Sequence, residues 1–251
     1  MSRLPLALLL LALLLPACGR RHPKPDPVDQ RLHEMRQAVR NDDPDAAVEA
    51  IDAAIAARPA DAELPLIKAR MLFDFARYPA AAEAAEAAVE RAEQSKRQAR
   101  DNARAALLLE EESQREQARE QAIRAHGDAR RHQAQAHFTR AAALRSAGRE
   151  SEADEALDRA KLAFDELAKT PPGEDEAEQA RAELSALLHK AVILRLQGHR
   201  ESAAFQIRQI AAKFDHWQGK DYWIDMLTSD DAERRLYDAM VEGVGDEISD
   251  R

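Results

Sequence analysis

The sequence predicts an all-α protein, an α-solenoid of antiparallel helix pairs ending in a C-terminal capping segment, and three observations carry that expectation. The composition is 45% hydrophobic but only 4% aromatic, with 33% charged residues and long alanine-rich stretches, which describes helices packed closely through small side chains. Proline and glycine stand at intervals that suit helix boundaries. A pattern of alanines and turn residues also recurs along the chain.

The first element is MSRLPLALLLLALLLPAC, residues 1–18. Arg3 supplies a short positive start, Leu4 to Leu15 is apolar apart from Pro5, and the run closes on small residues before Cys18, the single cysteine. About 20 apolar residues are needed to cross a bilayer as a helix, and Pro16, Gly19, Arg20 and Arg21 end this run too early. A lone cysteine has no internal disulfide partner. These three regions resemble a bacterial lipoprotein signal. The resemblance implies cleavage after residue 17, a diacylglycerol on the Cys18 thiol, usually with a further acyl group such as palmitate on the new amino group, and a lasting hold on a membrane. Gly19, where an aspartate commonly retains lipoproteins at the inner membrane, implies the periplasmic face of the outer membrane in a two-membrane host.

Residues 18–30 continue as a tether. RRHPKPDPVDQ, residues 20–30, has three prolines and a dense run of charge, so it reads as an extended spacer of about 30 Å. Removing residues 1–17 leaves 234 residues and moves the formal charge from −9 to −10, because only Arg3 is lost. A nucleic-acid binder normally shows a basic excess, so no nucleic-acid partner is expected.

The repeats follow. Residues 31–95 read as two units: NDDPDAAVEAIDAAIAARPAD from Asn41 is echoed 34 residues after Pro44 by YPAAAEAAEAAVERA from Tyr78. Ala47 falls on Ala81, Ile51 on Ala85, Ala54 on Ala88 and Ala38 on Leu72. Two further units fill residues 134–217, where Gly148 precedes Ala153 and Gly198 precedes Ala203 in a shared Gly-x-x-x-x-Ala. Glycine at a helix end can take the left-handed conformation, and the alanine lets the next helix approach closely. A 34-residue period with small residues at helix crossings resembles the tetratricopeptide repeat, a pair of antiparallel helices. The motifs fall at about 28–61, 62–95, 134–167 and 184–217. They depart from the family where a bulky residue is usual early in the first helix, at Arg31, Pro65, His137 and Leu187. Without the repeat, the same composition describes an alanine-rich helical bundle.

Residues 96–133 fit no clean repeat. Their narrow apolar stripe reads as one long charged helix, a degenerate repeat, or a short coiled-coil seam through which two copies self-associate. The segment 170–178, TPPGEDEAE, reads as a loop between helices. Residues 218–251 read as a cap and acidic tail, with a helix expected at 236–243.

No chemical constellation stands out. The eight histidines are dispersed, His126, His132 and His137 lack the four-residue step of metal ligands, and no phosphate loop or nucleophile turn occurs. No enzyme activity, catalytic residue, metal or cofactor is expected. The repeat resemblance implies instead a concave binding groove lined by the first helix of each pair. Its candidates are Leu32, Arg36 and Val39; Leu66, Arg70 and Phe73; Phe138, Ala142 and Arg145; and Leu188, Val192 and Arg195. The recurring arginines could hold the carboxylates of an extended peptide, or form ordinary intramolecular ion pairs. A C-terminal aromatic patch, Phe214, Trp217, Tyr222 and Trp223, reads first as the cap over the last apolar face and second as a partner site. The expected role is an adaptor or assembly factor that binds envelope proteins. It is similar in architecture to the pilotins and to the repeat subunit of the β-barrel insertion machine. The alternative is a self-associating periplasmic spacer.

Overall fold

A computed structural model describes residues 26–173 and 175–214, together with Asp221, Trp223 and Leu227. Cys18 and residues 19–25 of the expected tether, Trp217, Tyr222 and the helix expected at 236–243 lie outside the described residues. The end of the tether expected to residue 30 is not an extended spacer, because Asp26 caps a helix that starts at Pro27 and buries Val28 in the core. Every regular element among the described residues is a helix: α1 Pro27–Arg40, α2 Pro44–Ala57, α3 Glu63–Asp74, α4 Tyr78–Ala106, α5 Glu112–Ser146, α6 Glu150–Lys169, α7 Glu176–Leu196 and α8 Arg200–Lys213. No described helix is long and apolar enough to cross a membrane.

Local chemistry starts the helices. Asp26, Asp43 and Asp175 accept backbone N–H groups of α1, α2 and α7 at 2.9, 3.1 and 2.8 Å, satisfying donors that the first turn leaves unpaired. Pro27, Pro44 and Pro79 fall within the first two helical positions, where the missing N–H costs nothing.

One turn then joins α1 to α2, α3 to α4, α5 to α6 and α7 to α8. Its central residue is left-handed at Asp42, Ala76, Gly148 and Gly198, with φ of 55°, 54°, 75° and 82°. The next N–H reaches back five residues, from Asp43 to Ala38 O (3.0 Å), Arg77 to Leu72 O (2.8 Å), Arg149 to Leu144 O (2.9 Å) and His199 to Leu194 O (2.8 Å). This is the Schellman closure, which satisfies carbonyls the helix end would leave open. Five residues beyond each left-handed position stands a buried alanine: Ala47, Ala81, Ala153 and Ala203. A larger side chain there would push the second helix off the first.

Each helix packs on its neighbours in sequence, and α3 also packs on α5. The resulting core runs through Met35, Ile51, Leu72, Phe138, Leu157, Leu188, Ile193 and Ile207 without a break. Trp223 and Leu227 are buried in it, and Phe214 lies half-buried against it. The Arg195 Nε donates to the Leu227 carbonyl at 3.0 Å, tying that segment to α7.

Residues 96–133 are not one helix, because a turn at 107–111 divides them between α4 and α5. No proline or glycine marks it. Leu107, Leu108 and Leu109 close it by donating to the carbonyls of Arg104, Ala105 and Ala106, and the Arg115 guanidinium donates to the Leu109 carbonyl at 2.8 Å. The chain then returns along itself with Ala99, Ala106 and Ala122 buried between the two helices. These helices have 29 and 35 residues, about 43 and 52 Å, against 12 in α3 and 20 in α6. Their far halves therefore extend past their neighbours as a two-helix arm.

Candidate functional site

A cleft of about 460 Å³ opens among α3, α5, α6 and α7. Its polar lining comes from three helices: Glu63 and Arg70 on α3; Arg131, His132 and Gln135 on α5; and Glu178, Arg181 and Ser185 on α7. Each set follows the three-, four- or seven-residue step that puts side chains on one helical face. Phe164 and Leu167 of α6 lie at its base, with Ala182 and Ala186 of α7 beside them.

The loop after α6 supplies Pro172 and Gly173 as a wall, and two residues of α5 hold it there. Gly127, buried in mid-helix, lets Pro172 sit so close that a Cβ on residue 127 would lie 2.6 Å from the Pro172 Cβ. One turn on, the Arg130 guanidinium donates to the carbonyls of Thr170, at 3.0 Å, and Glu166, satisfying the open end of α6 with a cation matched to its dipole. Gln179 braces the wall from α7 by donating to the Gly173 carbonyl at 3.2 Å.

Beneath the base, His189 stacks on Phe164 with centroids 4.2 Å apart and meets Phe138 edge-on at 6.3 Å. Its Nδ1 lies 2.7 Å from the Ser185 carbonyl, so the neutral ring donates there. Burial pushes the His189 pKa down to about 4, against the pull of that carbonyl and with help from the Arg70 charge. His137 is likewise held at about 4 by burial, with Arg159, Arg140 and Lys96 adding repulsion. In the cleft itself, burial lowers the His132 pKa and outweighs the nearby acids Glu63 and Asp128. His132, Gln135 and Ser185 are thus neutral hydrogen-bonding groups set among charged ones.

Three guanidinium groups, of Arg70, Arg131 and Arg181, face two carboxylates, of Glu63 and Glu178. Arg131 is also paired with Asp128 of its own helix at 3.0 Å, with both side chains at least half exposed. An exposed pair of that kind contributes little and exchanges readily for a ligand carboxylate, which a guanidinium can bind through two parallel hydrogen bonds. Among the described residues no group of three or more His, Cys, Asp or Glu side chains converges as a metal site would.

Of the groove residues expected from the repeat, Arg70 alone lines this cleft. Leu66, Phe73, Phe138, Ala142, Leu188 and Val192 are buried, and this corrects their assignment to a binding surface. The reason is geometric: the apolar face of each first helix is consumed by packing against the next helix, and the cleft uses the adjoining polar face. Arg145 is engaged within the chain, with Asp154 at 2.7 Å and Glu150 at 3.3 Å. Arg195 holds the Leu227 carbonyl. Leu32 packs partly on the core, while Arg36 and Val39 are exposed on α1 away from the cleft. Of the aromatic patch, Phe214 and Trp223 pack against the core.

The cleft residues that sequence reasoning missed are Glu63, Arg131, His132, Gln135, Glu178, Arg181 and Ser185. A signal for several of them exists in the four-residue step of Arg131 and Gln135 and the three- and four-residue steps of Glu178, Arg181 and Ser185, polar stripes beside the alanine faces. No protein-family model matches the sequence, and no curated protein matches it significantly.

Proposed function

We propose that this chain is a lipid-anchored adaptor or assembly factor of the bacterial cell envelope. In this reading its tetratricopeptide-like helix pairs take an extended, carboxylate-bearing segment of a partner protein. The signal-like residues 1–18, ending on Cys18, support the anchor and the envelope address. The recurrence of one left-handed turn with one buried alanine beyond it supports the repeat reading. The observation that carries the binding role is the cleft, where α3, α5 and α7 each contribute an arginine around neutral hydrogen-bonding side chains. Arginine suits such recognition because its planar fork matches a carboxylate and stays charged.

The test is to express the full chain and Cys18→Ala in a two-membrane bacterium, then recover each from solubilised envelopes after crosslinking. The expected result is acyl mass on Cys18, release of Cys18→Ala from the membrane fraction, and co-recovery of a small set of envelope proteins. Arg131→Glu/Arg181→Glu, on two exposed side chains, should lose those proteins while keeping its helical content. An unmodified Cys18 would overturn the anchor. Recovery of the same proteins by the double variant would overturn the cleft.

A further inference from the structure

The arm formed by the far halves of α4 and α5 carries three of the six large apolar side chains exposed among the described residues. Leu107 and Leu108 stand at its tip with 64% and 84% of their surface accessible, and Ile123 stands on its side with 60%. Ile123 is one turn before Gly127 on the face of α5 that Pro172 covers. Beyond Pro172 that face continues through Arg119, Glu116 and Glu112, which no described residue covers, at the three- and four-residue steps of a helical stripe.

The charge of the arm is divided by helix. Over residues 96–106, Lys96, Arg97, Arg100 and Arg104 stand against Asp101, a net of +3. Over residues 110–120, five glutamates stand against Arg115 and Arg119, a net of −3. Among the described residues Arg104 pairs with Asp101 at 3.5 Å and Arg124 with Glu120 at 3.7 Å, each inside one helix. Arg97, Arg100, Glu112 and Glu116 form no ion pair among the described residues.

We propose that this arm is a self-association surface whose occupant is the arm of a second copy of the chain. The basic stripe of α4 from one copy lies against the acidic stripe of α5 from the other, and Ile123 with the leucine tip is covered in the contact. Charge complementarity argues for this occupant: each arm carries both halves of the contact, so two copies satisfy one another reciprocally. The spacing agrees, with Arg97, Arg100 and Arg104 and then Glu112, Glu116 and Glu120 each spanning about two turns. A strongly anionic lipid surface is a poor occupant, because Glu110, Glu111 and Glu112 adjoin the leucines. The inference is independent of the cleft.

The test uses the mature chain carrying Cys18→Ser, followed by sedimentation velocity from about 2 to 100 μM in about 50 mM and about 500 mM salt. The expected result is a monomer–dimer equilibrium weakened about tenfold or more by high salt. Arg97→Glu/Arg100→Glu/Arg104→Glu makes both stripes acidic, and Glu112→Lys/Glu116→Lys/Glu120→Lys makes both basic. Each alone should be monomeric, and an equimolar mixture should associate again. Ile123→Asp, at an exposed position, should also weaken the dimer with its circular dichroism unchanged. A wild type that is monomeric throughout, or a mixture that fails to associate, overturns the proposal.

Discussion

Gly127→Ala sets two opposing effects against each other, and the structure decides between them. In mid-helix an alanine is favoured over glycine by about 1 kcal/mol, so residue 127 of α5 considered by itself predicts stabilisation. The new Cβ, however, would lie 2.6 Å from the Pro172 Cβ, about 1 Å inside ordinary carbon–carbon contact. The wall must then lift from α5, which strains the hydrogen bond from Arg130 to the Thr170 carbonyl. Overpacking of this kind costs about 1–3 kcal/mol, and the added loss of a charge-assisted hydrogen bond brings the total above the propensity gain. The expected net effect is destabilisation of about 1–2 kcal/mol, measured by urea unfolding. The clean assay is a double-mutant cycle with Pro172→Gly, which removes the opposing Cβ. In that background Gly127→Ala should become neutral or stabilising, giving a coupling of about 2 kcal/mol. A Gly127→Ala that stabilises the wild-type chain, or a coupling near zero, would refute the account of how the wall is held.

The turn geometry makes a reciprocal pair of predictions: Gly148→Ala places a Cβ at φ +75° with nothing within 4 Å, so its whole cost is backbone conformation, about 1 kcal/mol and a Tm lower by about 2–4 °C. Ala76→Gly relieves the same strain at φ 54° and should leave Tm unchanged or higher; a large loss there would contradict the assignment. A pH prediction follows from His189, whose folded pKa of about 4 lies below the unfolded value near 6.5, so the unfolded chain binds the proton first. Its stability contribution is complete above pH 6.5 and is lost as pH falls toward 4, amounting to about 2 kcal/mol by pH 5. The urea midpoint of His189→Phe should therefore fall less between pH 7 and pH 5 than that of the wild type, and parallel profiles would show that this histidine is not buried in its neutral form.

The ends of helices were legible in the sequence because they depend on local chemistry. Pro44 and Pro79 start helices, Gly148 and Gly198 close them, and the alanines five residues after each turn are buried as the Gly-x-x-x-x-Ala spacing predicts. The turn at 107–111 was not legible. Leu107, Leu108 and Leu109 are strong helix formers, and the chain reverses there because the pairing of α4 with α5 along Ala99, Ala106 and Ala122 supplies what local propensity does not.

The sequence by itself determined the helical class, most joints and the acidic balance, since composition and short-range sterics act without knowledge of neighbours. Which face of each helix meets a partner was decided by the tertiary structure alone. Leu66, Phe138 and Val192 could have faced a groove or a core with equal local cost, and burying them removes far more apolar surface from water than exposing them to a ligand would. The polar faces then converge at Arg70, Arg131 and Arg181, residues up to 111 positions apart that only the packing of α3, α5 and α7 brings to one cleft.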